Sequence, residues 1–176
     1  LCTASGMGAI AATLLQLCRA GDHIVASRTI YGGSYALLQD LLPELAIHTT
    51  FVDPCRPEDF EAALRPATRL LFTETIGNPT LPVADIPRLA DIAHRHGLPL
   101  VVDNTFCPMV VSPAVLGADV VVYSLTKFIN GASDLLACAN HQGRLDRAAD
   151  AMAAGEAMRE TVCRTPEGAA LYLDFL

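Results

Sequence analysis

The chain has 176 residues, 52% of them hydrophobic, which is enough to bury one good core, so one compact domain is expected. Its formal net charge of −7, with Lys and Arg scattered rather than gathered into a stripe, argues against nucleic acid as a partner. No uninterrupted apolar run approaches the roughly 18 residues of a membrane-spanning helix, and LCTASGMGAI lacks the basic end and apolar centre of a signal peptide, so a cytoplasmic location is expected.

Leu rather than Met stands first and Leu176 falls within a helix-like run, so the chain is expected to be a fragment of a longer protein. Cys2, Cys18, Cys55, Cys107, Cys138 and Cys163 contain no CxxC pair, which favours reduced, mostly buried thiols. His94 and His96, two apart at a helix end, point to different faces and do not read as a zinc pair.

In chain order, SGMGAIAATLLQLCRAGD reads as a glycine-rich turn feeding a helix from about Gly8 to Arg19, stopped by Gly21; LCTAS before it does not read as a strand. His23 to Ser27 is predicted as a strand, Tyr31-Gly32-Gly33 as a loop, and Ser34 to Leu42 as a helix ended near Pro43. Ile47 to Val52 follows as a strand, and Pro57 opens a helix through Leu64 from a first-turn position where its missing N–H costs nothing. Arg69 to Glu74 is a strand delivered into TIGNPTLPV, whose Gly77, Asn78, Pro79 and Pro82 argue against regular structure. Asp85 caps a helix to His96, Gly97 ends it, and Leu98 to Val102 is a strand finishing at Asp103.

Within ADVVVYSLTKFINGASD, Val120, Val121 and Val122 suit a strand buried on both faces, and Ser124, Thr126, Asn130 and Gly131 carry it into a loop holding Lys127. A strand over Leu135 to Ala139 and a helix from about Arg144 into Ala154 complete the pattern. Strands alternating with helices predict right-handed crossovers and an α/β fold, a mainly parallel sheet covered on both sides in three layers, α/β/α.

This reading brings the Gly6 turn, the Tyr31 loop, Asn78, Asp103 and the Ser124 to Lys127 segment to one edge of the sheet, the crevice where open α/β sheets bind ligands. A two-glycine turn opening a helix offers backbone N–H groups and the positive dipole end to an anion such as a phosphate, with Ser5, Ser124 and Thr126 as hydroxyl donors. Gly6-Met7-Gly8-Ala9-Ile10-Ala11 also fits the dinucleotide pattern G-x-G-x-x-A. That pattern needs a strand before it and an acid after the next strand, whereas LCTAS is not strand-like and Asp22 precedes the next strand.

Asp103, at the end of an apolar strand, needs a cationic or hydrogen-bonding partner to stay charged. An ion pair with Lys127 or a helix cap is the simpler account; alternatively, both groups address one bound ring. A lysine forms a Schiff base with an aldehyde cofactor, and a carboxylate keeps a pyridine nitrogen protonated, so pyridoxal 5'-phosphate uses all of these parts. Tyr31 would then supply an aromatic face and Asn78 a donor to the ring hydroxyl, although each alone reads as an ordinary loop residue.

SGMGAI, YGG, ETIGNPT, VVDNTF and YSLTKFINGASD, in this order, closely resemble the Cys/Met-metabolism family of pyridoxal phosphate enzymes, which includes cystathionine γ-synthase, cystathionine lyases, methionine γ-lyase and O-acetylhomoserine sulfhydrylase. The resemblance runs from about Ser5 to Asp134 and more weakly to the end. It implies the fold called type I, with residues 1–176 forming the cofactor-binding large domain alone. It further implies that Lys127 is the Schiff-base lysine, Asp103 the partner of the pyridine nitrogen, and Tyr31 the stacked tyrosine that also acts near the leaving group. Gly6 and Met7 match the residues whose amides hold the phosphate, Ser124 and Thr126 its hydroxyl donors, and Asn78 the asparagine near the ring oxygen.

Gly33 departs from the methionine γ-lyases, which carry a cysteine there, and matches the synthases and sulfhydrylases. The family's N-terminal segment, which supplies the neighbouring subunit's phosphate site, and its C-terminal domain with the substrate-carboxylate arginine have no counterpart in these residues. The implied activity is γ- or β-elimination or replacement on a homoserine, cystathionine, cysteine or methionine type substrate, in a homo-oligomer of the full-length protein. A non-catalytic cofactor-binding or assembly fragment, and an aminotransferase-like enzyme of the same fold, are the alternatives.

Overall fold

The computed structural model describes residues 2–131 and the backbone of residues 138–142. The β-branched and aromatic runs pair into a seven-stranded sheet of β1 (Cys2–Thr3), β2 (His23–Ser27), β3 (His48–Val52), β4 (Thr68–Glu74), β5 (Leu100–Asp103), β6 (Val120–Ser124) and β7 (Cys138–Gln142). Their order is β1-β7-β6-β5-β4-β2-β3. The strands from β6 through β3 in that order are parallel, and β7 and β1 add antiparallel pairings at one edge.

The two-residue side-chain period divides the sheet between two cores. Ile24, Ala26, Leu70, Phe72, Val101, Val120 and Val122 enter one apolar cluster, covered by Ile10 and Leu14 of α1 (Gly6–Leu17) and by Leu37, Leu38 and Leu42. Val25, Leu71, Leu100, Val102 and Val121 enter the other, covered by Phe60 of α4 (Pro57–Ala62) and by Ile86, Leu89 and Ile92 of α5 (Ile86–Arg95). Burial on both faces explains why the central strands are apolar throughout, and it makes the predicted α/β/α layering. Fully burying each of these large side chains contributes about 1.5–3 kcal/mol.

Several boundaries differ from the sequence reading for local reasons. The helix does end next to Pro43, at Glu44, but it is not uniform: α2 (Gly32–Ala36) passes through a π turn, Leu37–Leu41, into α3 (Leu42–Glu44). The Leu42 N–H bonds to the Leu37 carbonyl, widening the helix just where proline cannot donate and its ring would crowd Gln39. Gly32 and Gly33 begin α2 instead of lying in the loop. Cys2–Thr3 is a strand after all, because β7, distant in sequence, gives it an antiparallel partner; this is not the parallel strand that a dinucleotide turn follows.

TIGNPTLPV is an ordered turn, closed by an Ile76–Val83 bridge and by Gly77 N–H to Pro82 O at 2.9 Å. The last described strand covers Cys138–Gln142, reaching past the expected end at Ala139, while Leu135 lies outside the described residues. The helix expected from Arg144 lies outside the described residues, as does Asp134. Among the described residues, no helix is long and apolar enough to cross a membrane.

Candidate active site

Tyr31 follows β2, Glu74 ends β4, Asp103 ends β5 and Ser124 ends β6, and these strands are consecutive neighbours in the sheet. The chain leaves β2 for helices on one face and β4 for α5 on the other, so the loops after β2 and β4 part and leave a crevice at the carboxyl edge. A cavity of about 680 Å³ opens there. Its lining includes Ser5, Gly6, Met7, Tyr31, Asn78, Asp103, Ser124, Thr126 and Lys127, all the residues the sequence singles out, and adds Glu74, Thr105 and Phe106.

The Gly6 turn is set by Ser5, which caps α1 by accepting the Gly8 N–H at 3.0 Å. No acidic side chain occupies the first turn of α1, so its positive end is uncompensated from within. A Cβ added at Gly6 would stand 3.0 Å from the Ser124 Cβ and 3.1 Å from its Oγ, so glycine lets the helix start lie directly against the end of β6. Gly33 has a comparable reason: a Cβ there would meet the Tyr31 ring at 2.6 Å and the Met7 sulfur at 3.0 Å. Tyr31 is thereby flanked by α2 and half-exposed toward the cavity.

Asp103 is 8% exposed, and its Oδ1 accepts the Thr105 N–H at 2.9 Å and the Thr105 hydroxyl at 2.5 Å. The same hydroxyl accepts the Ser124 N–H at 2.9 Å, so one threonine fastens the carboxylate on β5 to the end of β6. Burial pushes the Asp103 carboxyl above its usual range against the pull of these two bonds. Among the described residues no ion pair joins Asp103 to Lys127. The simple salt-bridge account is therefore replaced by a hydroxyl and an amide as the partners of Asp103.

Glu74 is a second buried acid on the same wall, 5% exposed. Its Oε1 accepts the Tyr31 N–H at 2.7 Å and its Oε2 the Asn78 N–H at 3.1 Å. Burial pushes its carboxyl up to about 7; the two N–H donors oppose the shift and the nearby Asp103 adds to it. Sequence reasoning took Glu74 only as the last residue of a strand, and Thr105 not at all. The available signal was a charged residue closing an otherwise apolar run, the same signal that exposed Asp103.

A family model described as "Cys/Met metabolism PLP-dependent enzyme" matches residues 1–160. The chain belongs to this family. Its relatives include a methionine gamma-lyase of Arabidopsis thaliana, 52% identical over 77% of this chain and 31% of that protein. A cystathionine beta-lyase MetC of Staphylococcus haemolyticus is 45% identical over 85% of the chain and 38% of its own length. An O-acetyl-L-homoserine sulfhydrylase of Leptospira meyeri is 47% identical over 74% and 30%. The chain thus spans about a third of the length of these family members.

The donor set fits the family's cofactor. Gly6 lets the start of α1 lie against Ser124, which brings the helix start and the hydroxyls into one cavity, and this donor set suits a phosphate. Asp103 is an acid held at a raised pKa with no cationic side chain paired to it among the described residues, which suits a protonated ring nitrogen. Lys127 supplies an amine to the same cavity.

Proposed function

We propose that this chain is the cofactor-binding part of an enzyme that eliminates or replaces a γ- or β-substituent on a small sulfur-containing or homoserine-derived amino acid. The observation that carries the reading is the buried Asp103 on the wall of a cavity it shares with Lys127. Bound pyridoxal phosphate supplies an aldehyde that condenses with an amine and a ring that withdraws electrons from the carbon bearing a substrate's amino group. The residues' tasks follow from what each offers. Lys127 would present the amine to that aldehyde and would serve as the base at the substrate's α-carbon. Asp103 would hold a proton at the ring nitrogen: burial disfavours its charge, and a protonated ring nitrogen beside it would offset that penalty. The first amides of α1, at Gly6 and Met7, hold the phosphate with the Ser124 and Thr126 hydroxyls. Tyr31 stacks on the ring and acts near the departing group, and Asn78 donates to the ring oxygen.

The relatives' names cover a γ-lyase, a β-lyase and a sulfhydrylase, which supports the class of reaction and leaves its exact outcome to be measured. Assembly with a second copy is part of the proposal. Met109, Val110 and Val115, on the segment after β5, are 84–87% exposed, an apolar surface that association would cover.

The test mixes the full-length protein with pyridoxal phosphate, reads the visible band of the bound cofactor and then treats it with borohydride. The cofactor's mass is expected on the peptide containing Lys127, and Lys127→Ala is expected to lose the band and at least about 1,000-fold of keto-acid release from O-acetylhomoserine, cystathionine or methionine. A band that survives Lys127→Ala would overturn the assignment. A second reading, a non-catalytic binding fragment, is favoured for these 176 residues alone because they span only about a third of their relatives. It requires the short chain to bind cofactor without turnover.

A further inference from the structure

We propose that Glu74 is a positioning residue, which stitches the Tyr31 segment to the Asn78 loop across the crevice between β2 and β4. The inference rests on the cofactor reading above, because Tyr31 and Asn78 matter only if they address a bound ring. The geometry supplies the reason a stitch is needed. Beyond Ala26 and Phe72 the two strands stop pairing and their chains depart to opposite faces of the sheet, so strand hydrogen bonds no longer fix one loop against the other. Glu74 restores the connection with a single carboxylate, taking the Tyr31 N–H on one oxygen and the Asn78 N–H on the other.

Both bonds are to backbone, so they fix the path of the chain rather than one rotamer, and their ionised acceptor makes them roughly twice as strong as neutral ones. The loops also meet closely beside the stitch: a Cβ added at Gly77 would collide with the Thr29 carbonyl oxygen. No other common side chain reproduces the arrangement. Glutamine has one acceptor oxygen and would oppose its NH₂ to the second N–H, aspartate is a methylene too short, and alanine leaves both donors unsatisfied.

The titratable groups around Glu74 come from each neighbouring segment. Tyr31 follows β2, Asp103 ends β5, and Lys127 lines the same cavity. A negative Glu74 is the form that accepts both amides fully, so the stitch loosens as the pH falls through about 7.

The experiment compares full-length wild type with Glu74→Gln and Glu74→Ala, first without cofactor. Hydrogen exchange at the Tyr31 and Asn78 amides is expected to accelerate at least about tenfold in both variants, with Val101 and Val102 in β5 unchanged. After correction for intrinsic exchange, these two amides in the wild type lose protection below about pH 7, and Glu74→Gln abolishes that response. With pyridoxal phosphate added, Glu74→Gln is expected to weaken cofactor binding about tenfold and to lower kcat more than it raises KM. Unchanged exchange at both amides, or a pH response that persists in Glu74→Gln and so belongs to another group, would overturn the proposal. Failure of the wild type to bind pyridoxal phosphate sinks the cofactor reading instead.

Discussion

At the amino ends of the parallel strands, buried polar groups close on one another, whereas at the carboxyl ends they close on backbone and hydroxyls and leave acid facing a cavity. His23 sits between Thr68 and Thr50 at 2.9 Å each, and Asp119 takes the Leu100 N–H at 2.8 Å and His94 at 3.0 Å. Asp22 accepts the Arg19 N–H and the Arg69 side chain, both at 2.8 Å. Burial alone would push the Asp22 carboxyl up, but these bonds and the arginine charges leave it below the usual range. Asp103 and Glu74 are about as little exposed but lie much deeper below the surface, without an arginine beside them, and shift the other way. An acid paired from within stabilises the fold, whereas one buried beside a cavity without an ion-pair partner among the described residues marks where a ligand belongs.

The largest separation between the two edges is expected from Asp103→Asn. Turnover falls by roughly 100-fold or more, while the melting temperature of the cofactor-free protein stays within about 2 °C or rises, because a buried acid has been removed. A cofactor-free protein that fails to fold would make Asp103 structural and erase the contrast. Next comes the pH response of His23, whose pKa is pushed down to about 4 by burial, with Arg65 and His48 adding to the shift. Its folded value lies below its unfolded value near 6.5, so its contribution is intact above about pH 6.5 and lost as pH falls toward 4, by about 1–2 kcal/mol. His23→Gln should flatten that part of the stability curve; an unchanged curve would assign the acid sensitivity elsewhere. The smallest effect is Asp22→Asn, expected to cost about 1 kcal/mol in denaturant melts and to leave kcat alone. A loss of turnover there would break the division between the edges.

How much of this was legible depends on how local each cause is. Val120 to Val122 announce a central strand, and Asp103 and Lys127 stand out because polarity returns abruptly after apolar runs. The sheet edge they share follows from alternating strands and helices. Glu74 was passed over because its importance lies in which amides it meets, Tyr31 43 positions before it and Asn78 in a turn that two prolines made look shapeless. Cys2–Thr3 hides for a similar reason, since two residues carry no pattern until β7 pairs with them. Pro43 marked the helix end, but the π turn that absorbs its missing donor left no local pattern to read. Local chemistry was readable; contacts between distant segments were not.

The consecutive placement of β6, β5, β4 and β2 has one further consequence. Neighbouring parallel strands lie about 4.8 Å apart, so groups carried at their ends stand on a comb of fixed pitch. Point mutation can lengthen or blunt a tooth of that comb, but it leaves the pitch untouched. A flat ligand lying along that edge would therefore be measured by the backbone itself. Evolution is freer to change what is attached to such a ligand than to change the ligand.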